Sequence, residues 1–241
     1  MSYNPKSHMA LLDAALRKMS PGDFIIANNP TLINAAIRVT SDMPFGHGIL
    51  YMGRKSSGGL YGLEVPLRLE TVSHIFSPTA KHGATHSAAF VHCKGLSQEQ
   101  RTRILGIALE FYNDKKKAGS DGYDRFGAFL HASGSIAASL HISIVESIPG
   151  SRLASEALGI DPQDVRDLTA LPATIYGEAS AMVKRFPNLT CSGLISFAHA
   201  VAGNIIVKGS LRDAHTTSPR DLWNAIMQHG ARYSVEEIVF S

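Results

Sequence analysis

The chain has 241 residues, of which 44% are hydrophobic and 18% charged, and its formal net charge is +3. This composition is typical of a globular protein that can bury a core, and it excludes an intrinsically disordered chain. The densest basic run, Lys115-Lys116-Lys117, falls where a helix is expected to end, and basic side chains there complement the helix dipole. We therefore interpret the triplet as a solvated helix cap and expect no nucleic-acid partner.

The first third of the chain alternates helical and strand patterns. Residues Ser7 to Met19 have the apolar spacing of a short amphipathic helix, which Pro21-Gly22 should end. A buried strand is predicted at Asp23 to Ala27, and Asn29-Pro30 is expected to open a second helix.

A β-hairpin is predicted next, and it determines where two polar residues lie. Its first strand begins directly behind His47 and its second begins at Leu60, with a glycine-rich turn between them. If Gly53 pairs with Leu60, then Ile49 lies opposite Glu64. His47, Ile49 and Glu64 would then share one face, whereas a one-residue slip would send Glu64 to the other face.

The middle of the chain carries one more strand and a long helix. Ser87 to Cys93 is a strand candidate, and Ser97-Gln98-Glu99-Gln100 has the form of a capping box that opens a helix to about Lys117. From Phe126 to Val145 no residue is charged, a length that could span a bilayer. Its two histidines, four serines and two glycines favour a buried helix or helical hairpin instead, so no transmembrane span is expected. Residues 150 to 187 look helical and polar.

The end of the chain contains two helix starts and a strand. Asn188 or Thr190 can cap a helix whose first turn holds Cys191. Ser218 should cap a final helix, with Asp221 reaching back to complete a capping box, and Val235 to Phe240 is predicted to be a closing strand.

The two cysteines, Cys93 and Cys191, form neither a disulfide framework nor a metal-type pair. The N-terminus lacks the basic-then-apolar layout of a secretory signal. We therefore expect reduced thiols and a cytoplasmic location by default, while leaderless export stays open. Cys93 follows a strand candidate with no helix start, and we expect it to be buried or inert.

Cys191 is the stronger nucleophile candidate because the N-terminus of a helix eases ionisation of a thiol. A lone cysteine beside an apolar helix is nevertheless usually a small core residue. A cysteine hydrolase also needs a base and a group that orients the base, and His47 and Glu64 suit those roles. Whether Cys191 and His47 meet in space cannot be derived from periodicity. His199 is too far along the helix to be the base.

Six short motifs occur in order along the chain: Gly22–Ile26, Phe45–Gly53, Leu63–Val65, Gly122–Asp124, Thr190–Ile195 and Thr217–Leu222. Together they resemble the circularly permuted branch of the NlpC-like papain-fold cysteine peptidases and amidases, often called YiiX-like. The chain departs from that pattern at Gly193, where the permuted branch often has glutamate, and at Val65, where alanine is usual. Residues 125 to 187 have no counterpart that we can assign.

The resemblance implies an α+β fold of papain-like type, with an antiparallel sheet packed on the helix that bears the nucleophile. The chain would be a single permuted papain-like domain, residues 1–241, with a helical insertion at approximately 125–187. It also implies Cys191 as nucleophile, His47 as base, Glu64 as the orienting residue, and Tyr123 in the substrate pocket. No cofactor is expected.

The implied reaction is acyl transfer through a thioester, with hydrolysis of an amide bond in a peptide or in peptidoglycan as first choice. Lipid acyl transfer or deacylation on the same fold is the enzymatic alternative, and a non-catalytic binding module is the alternative of another class. Four histidines could also suggest zinc, but they lack a short paired spacing on a predicted helix and any thiolate partner besides Cys93, and we expect no metal site. They are His74, His82, His86 and His92.

Overall fold

The computed structural model describes residues 5–28, 45–55, 58–76, 87–122, 189–207 and 217–240. Several predicted features lie outside these residues: the helix opening at Asn29-Pro30, Tyr123, the uncharged segment from Phe126 to Val145, and the insertion at 125–187.

Within the described residues the chain forms five helices and six strands. The helices are α1 (Pro5–Lys18), α2 (Val72–Ile75), α3 (Gln98–Lys117), α4 (Cys191–Val201) and α5 (Pro219–Gln228). The strands are β1 (Phe24–Asn28), β2 (His47–Arg54), β3 (Leu60–Glu64), β4 (Arg68–Thr71), β5 (Ser87–Cys93) and β6 (Tyr233–Val239).

The six strands form one sheet in the order β4-β3-β2-β1-β5-β6. Every neighbouring pair is antiparallel. The described part of the chain is therefore an α+β protein, as the sequence predicted. Strand β2, which begins with His47, lies inside the sheet rather than at an edge.

Both faces of the sheet are covered, because successive side chains of a strand point to opposite sides. Phe24 and Leu50 belong to a core cluster that also contains side chains of α3 and α4. Their strand neighbours Ile25 and Ile49 belong to a second cluster, built with α1 and α2. Helix α4 is buried along its whole length, so its first residue is held firmly against the sheet.

The hairpin of β2 and β3 has the predicted pairing next to His47 but not at its turn. Ile49 lies opposite Glu64, as expected. The assumed partner of Leu60 is wrong: Arg54, not Gly53, lies opposite it. A β-bulge between Tyr51 and Gly53 places one extra residue in β2. From Tyr51 toward His47 the strand pairing is therefore the predicted one.

Both predicted capping boxes are present. Ser97 and Gln100 form the first, and Ser218 and Asp221 form the second. The basic triplet lies in the last turn of α3, as predicted. Its description as solvated is wrong for Lys115, which is buried with its ammonium 5.8 Å from the ring centre of Phe111.

No helix in the described ranges is both long enough and apolar enough to cross a membrane.

Candidate active site

His47 and Glu64 meet at one end of the β2–β3 hairpin. His47 is the first residue of β2 and Glu64 the last residue of β3. The Nε2 atom of His47 lies 2.6 Å from Oε2 of Glu64, a short hydrogen bond. Exposed fractions are only 7% for His47 and 2% for Glu64. A carboxylate so deeply buried needs a partner, and the imidazole provides one.

The start of helix α4 positions Cys191. Thr190 is the N-cap, and its hydroxyl oxygen accepts a hydrogen bond from the Gly193 N–H at 3.0 Å. Of the two caps that the sequence left open, the structure therefore has Thr190. Cys191 is the first helical residue and is 8% exposed. The first N–H groups of a helix have no partner within that helix, and the positive end of its dipole lies at this point.

Gly48 allows the helix start to approach the strand. A Cβ atom placed on Gly48 would lie 2.9 Å from Cδ1 of Ile195 and 3.6 Å from the carbonyl carbon and oxygen of Cys191. A methyl group at this position would therefore crowd the Ile195 side chain and touch the backbone of Cys191, and a larger side chain would press on the start of α4. A glycine in a strand often marks such a close backbone approach, and here it brings Cys191 next to His47.

The thiol of Cys191 and the imidazole of His47 lie close enough for each to shift the pKa of the other. Because Nε2 of His47 is engaged by Glu64, Nδ1 is the ring nitrogen left for the sulfur. The backbone N–H groups of Gly48 and Ser192 also favour the charged form of the sulfur. The side chains of Cys191, His47 and Glu64 thus form one interacting group.

The electrostatics of the group favour a charge-separated pair. Burial alone would raise the pKa of Cys191, but the His47 charge and the hydrogen bonds to the sulfur lower it below its usual value. Burial alone would likewise lower the pKa of His47, but the Cys191 charge and the bonds to Cys191 and Glu64 raise it to about 10. Both shifts favour a thiolate beside an imidazolium over a neutral thiol beside a neutral imidazole.

A fourth charged side chain, which the sequence did not predict, reaches Glu64 from the other side. Arg68 in β4 lies directly opposite Glu64 in the strand pairing. Its Nη1 atom is 3.7 Å from Oε1 of Glu64, while Oε2 faces His47. Arg68 is 22% exposed at its side chain, so the guanidinium lies between the buried carboxylate and the solvent.

Three further hydrogen bonds fix the segments on either side of Cys191. The Ser192 hydroxyl donates to the carbonyl oxygen of Thr217 at 2.6 Å, and the Thr190 hydroxyl donates to the same oxygen at 3.2 Å. The Leu189 N–H donates to the carbonyl oxygen of Gly122 at 2.9 Å. The residue before Tyr123 is therefore tied to the nucleophile segment, although Tyr123 itself lies outside the described residues.

Neither the second cysteine nor the histidine of α4 joins the site. Cys93 is buried in β5, and burial raises the pKa of its thiol, as expected of an inert cysteine. His199 lies in the last turn of α4 and is completely buried; its Nδ1 is 2.8 Å from the side-chain nitrogen of Asn204. Burial lowers the pKa of His199 to about 4, so this imidazole is neutral.

The described histidines of the zinc alternative have separate carboxylate partners. His74 lies 3.4 Å from Glu70, and His92 lies 3.6 Å from Asp23. His82 and His86 lie outside the described residues. In the part of the chain that the structure describes, no group of three or more His, Cys, Asp or Glu residues is arranged to hold a metal ion.

Comparisons with known proteins find a remote structural likeness. No protein family model matches the chain, and no curated protein matches it. Among solved structures, the chain is similar to the crystal structure of metalloprotein yiiX, DUF1105, from Escherichia coli O157:H7. The TM-score is 0.45 and the sequence identity 12%, over 91% of this chain and 97% of that chain. A likeness at this level carries no inference about chemistry, so the site is interpreted from this chain's own residues.

Proposed function

We propose that this protein is a cysteine hydrolase of permuted papain-like fold that cleaves an amide bond, in a peptide or a peptidoglycan-type substrate. The observation that carries the proposal is the placement of Cys191 beside His47, together with the 2.6 Å hydrogen bond from His47 to Glu64. It supplies a nucleophile at a helix start, a base in contact with it, and a carboxylate that holds the base. Tyr123 is proposed to line the substrate pocket, since Gly122 is tied to Leu189.

In the proposed reaction the Cys191 thiolate attacks the carbonyl carbon of the substrate. The backbone N–H of Cys191, at the first position of α4, stabilises the negative charge that forms on the carbonyl oxygen. The His47 imidazolium then donates its proton to the departing amine, and a thioester remains on the sulfur. Neutral His47 next takes a proton from water, which attacks the thioester and releases the carboxylic acid. The thiolate–imidazolium pair is thereby restored.

An amide substrate suits the raised pKa of His47. An amine is a poor leaving group unless it is protonated as the C–N bond breaks, so an acid must already be present when the tetrahedral intermediate forms. With its pKa raised to about 10, His47 carries that proton throughout the neutral range. Esters need less help in departure, so the charged acid matters most for amides.

Alkylation of Cys191 by iodoacetamide tests the nucleophile. Wild-type protein should label stoichiometrically at Cys191 below the pH at which an ordinary thiol ionises. His47→Ala should remove the low-pH reactivity, because the thiolate loses its counter-charge. Cys93 serves as an internal control and should stay unlabelled in folded protein. Equal labelling of Cys191 in wild type and His47→Ala at neutral pH would refute the proposal.

Turnover separates the amide hydrolase from its alternatives. Purified protein should release amines from peptide or peptidoglycan fragments, and both Cys191→Ala and His47→Ala should lose that activity. Release of fatty acid from phospholipids, without amide cleavage, would favour the lipid alternative. A reactive Cys191 that turns over neither substrate class would favour a binding module.

A further inference from the structure

Beyond the three proposed catalytic side chains, Arg68 is placed to balance the charge of the site. Glu64 is buried and offers one carboxylate oxygen to each neighbour: Oε2 to His47 at 2.6 Å and Oε1 to Arg68 at 3.7 Å. Strand pairing places Arg68 directly opposite Glu64, so the position follows from the backbone of the sheet as well as from the side chain.

The charges can be counted from the contacts of the described residues. In the reactive state Cys191 and Glu64 are negative, and His47 is positive. These three side chains together carry one net negative charge in a nearly closed site, and a positive charge beside them lowers the cost of burying it. The Arg68 guanidinium is such a charge, and the four side chains together are neutral.

We propose that Arg68 is a positioning residue that acts through Glu64: it keeps the carboxylate ionised and oriented, and it sets the pH window in which the thiolate–imidazolium pair exists. A role of Arg68 in catalysis rests on the proposed function, whereas its effect on the ionisation of Cys191 and His47 does not. In the described part of the chain, the carboxylate beside the pair of Cys191 in α4 and His47 in β2 is Glu64 from β3, and the guanidinium beside that carboxylate is Arg68 from β4.

The sign of the effect follows from the charge count. Without Arg68 the site carries one more unit of negative charge. Removal of a proton from Cys191 and removal of a proton from His47 therefore both become harder. Arg68→Met should therefore shift both titrations upward, by about 0.5–1 pH unit, the scale of one charge acting at an effective dielectric of roughly 20 or more. Arg68→Lys keeps the charge and should move both titrations less than Arg68→Met.

The titrations are measured without any substrate. Iodoacetamide alkylation as a function of pH reports ionisation of Cys191, and the ring-proton NMR signal of His47 reports loss of the imidazolium. Arg103→Met is the matched control, because Arg103 forms a similar pair with Glu99 at 3.4 Å on the exposed face of α3. It should leave both titrations in place.

An upward shift of both midpoints in Arg68→Met, partly or fully restored in Arg68→Lys, supports the inference. Unchanged midpoints would overturn the inference. A fall in the His47 midpoint would overturn it too, because it would mean that the substitution only weakens the contact between Glu64 and the imidazole. If Arg68→Met shifts nothing while His47→Ala still abolishes labelling of Cys191, the inference fails and the proposed function stands. If His47→Ala has no effect on labelling, the proposed function fails whatever Arg68 does.

Discussion

Replacing Glu64 with glutamine removes the carboxylate charge beside His47 while leaving the size and shape of the side chain almost unchanged. A glutamine oxygen can still accept a hydrogen bond from Nε2 of His47, so the ring need not reorient. What is lost is the attraction between a carboxylate and an imidazolium whose nearest atoms are 2.6 Å apart. The Glu64→Gln variant therefore isolates the electrostatic part of the contact.

The size of the effect can be worked out from the contact. Two unit charges about 4 Å apart at an effective dielectric of roughly 20 interact by about 4 kcal/mol, equivalent to about 3 pH units, which is an upper bound. Opposite charges in contact usually shift a pKa by about 1–3 units. We therefore expect the pKa of His47 to fall by about 1–3 units from its value of about 10 in wild type.

The assay is the NMR titration of the His47 ring in wild type and Glu64→Gln, together with the pH profile of Cys191 alkylation. Glu70→Gln is the matched control, since Glu70 also contacts a histidine, His74 at 3.4 Å, but on a more exposed surface. It should leave the His47 titration unchanged. A His47 midpoint that stays in place or rises in Glu64→Gln would refute the reasoning, because Glu64 would then contribute no charge to the pair.

Three further substitutions give separate tests. Gly48→Ala should slow Cys191 alkylation by up to about 10-fold, because its Cβ would lie 2.9 Å from Cδ1 of Ile195 and that side chain must shift within α4. Gly106→Ala, with nothing within 4 Å of its Cβ, should leave reactivity unchanged and raise the free energy of unfolding by up to about 1 kcal/mol. Ser192→Ala removes the 2.6 Å donor to the Thr217 carbonyl oxygen and leaves it the 3.2 Å bond from Thr190, so denaturant titration should show a loss of about 0.5–1.5 kcal/mol. Burial lowers the pKa of folded His199 to about 4 from its usual 6.5, so on acidification the unfolded chain binds a proton first. The free energy of unfolding of wild type should therefore fall by about 3 kcal/mol as the pH drops from 6.5 to about 4. The loss should be smaller in His199→Gln, and equal losses in both proteins would contradict this assignment.

The sequence predicts the elements of this fold best where the signal is local. A capping box involves four consecutive residues, and both boxes, at Ser97 and Ser218, could be read directly and are present. Strand β5 has the predicted bounds, since its apolar run is bordered by turn residues. The missed elements are β4, with four half-buried residues, and the four-residue helix α2 that follows it. Segments so short carry too few residues to show a period.

The missed strand explains the missed residue. Arg68 is the first residue of β4, and its relation to Glu64 exists only because β4 pairs with β3. If β4 is not predicted, Arg68 resembles any exposed basic residue that follows a turn containing proline. The hairpin register had the opposite outcome: Ile49 opposite Glu64 was inferred from an incorrect pair at the turn, and the bulge in β2 made the inference correct. Agreement at the site therefore depended on an irregularity that hydrophobic alternation does not reveal.

The meeting of Cys191 and His47 is the hardest feature to predict, because no local pattern links residues so distant in the chain. One local signal does bear on it. Gly48 follows His47 in a strand whose next residues are large and apolar, and a glycine there predicts that another backbone passes close by. The structure identifies that backbone as the first turn of α4, with the carbonyl of Cys191 3.6 Å from the position of the missing Cβ. A strand glycine beside a histidine is thus a physical indication that a helix start lies against it, and it can be tested by adding one methyl group.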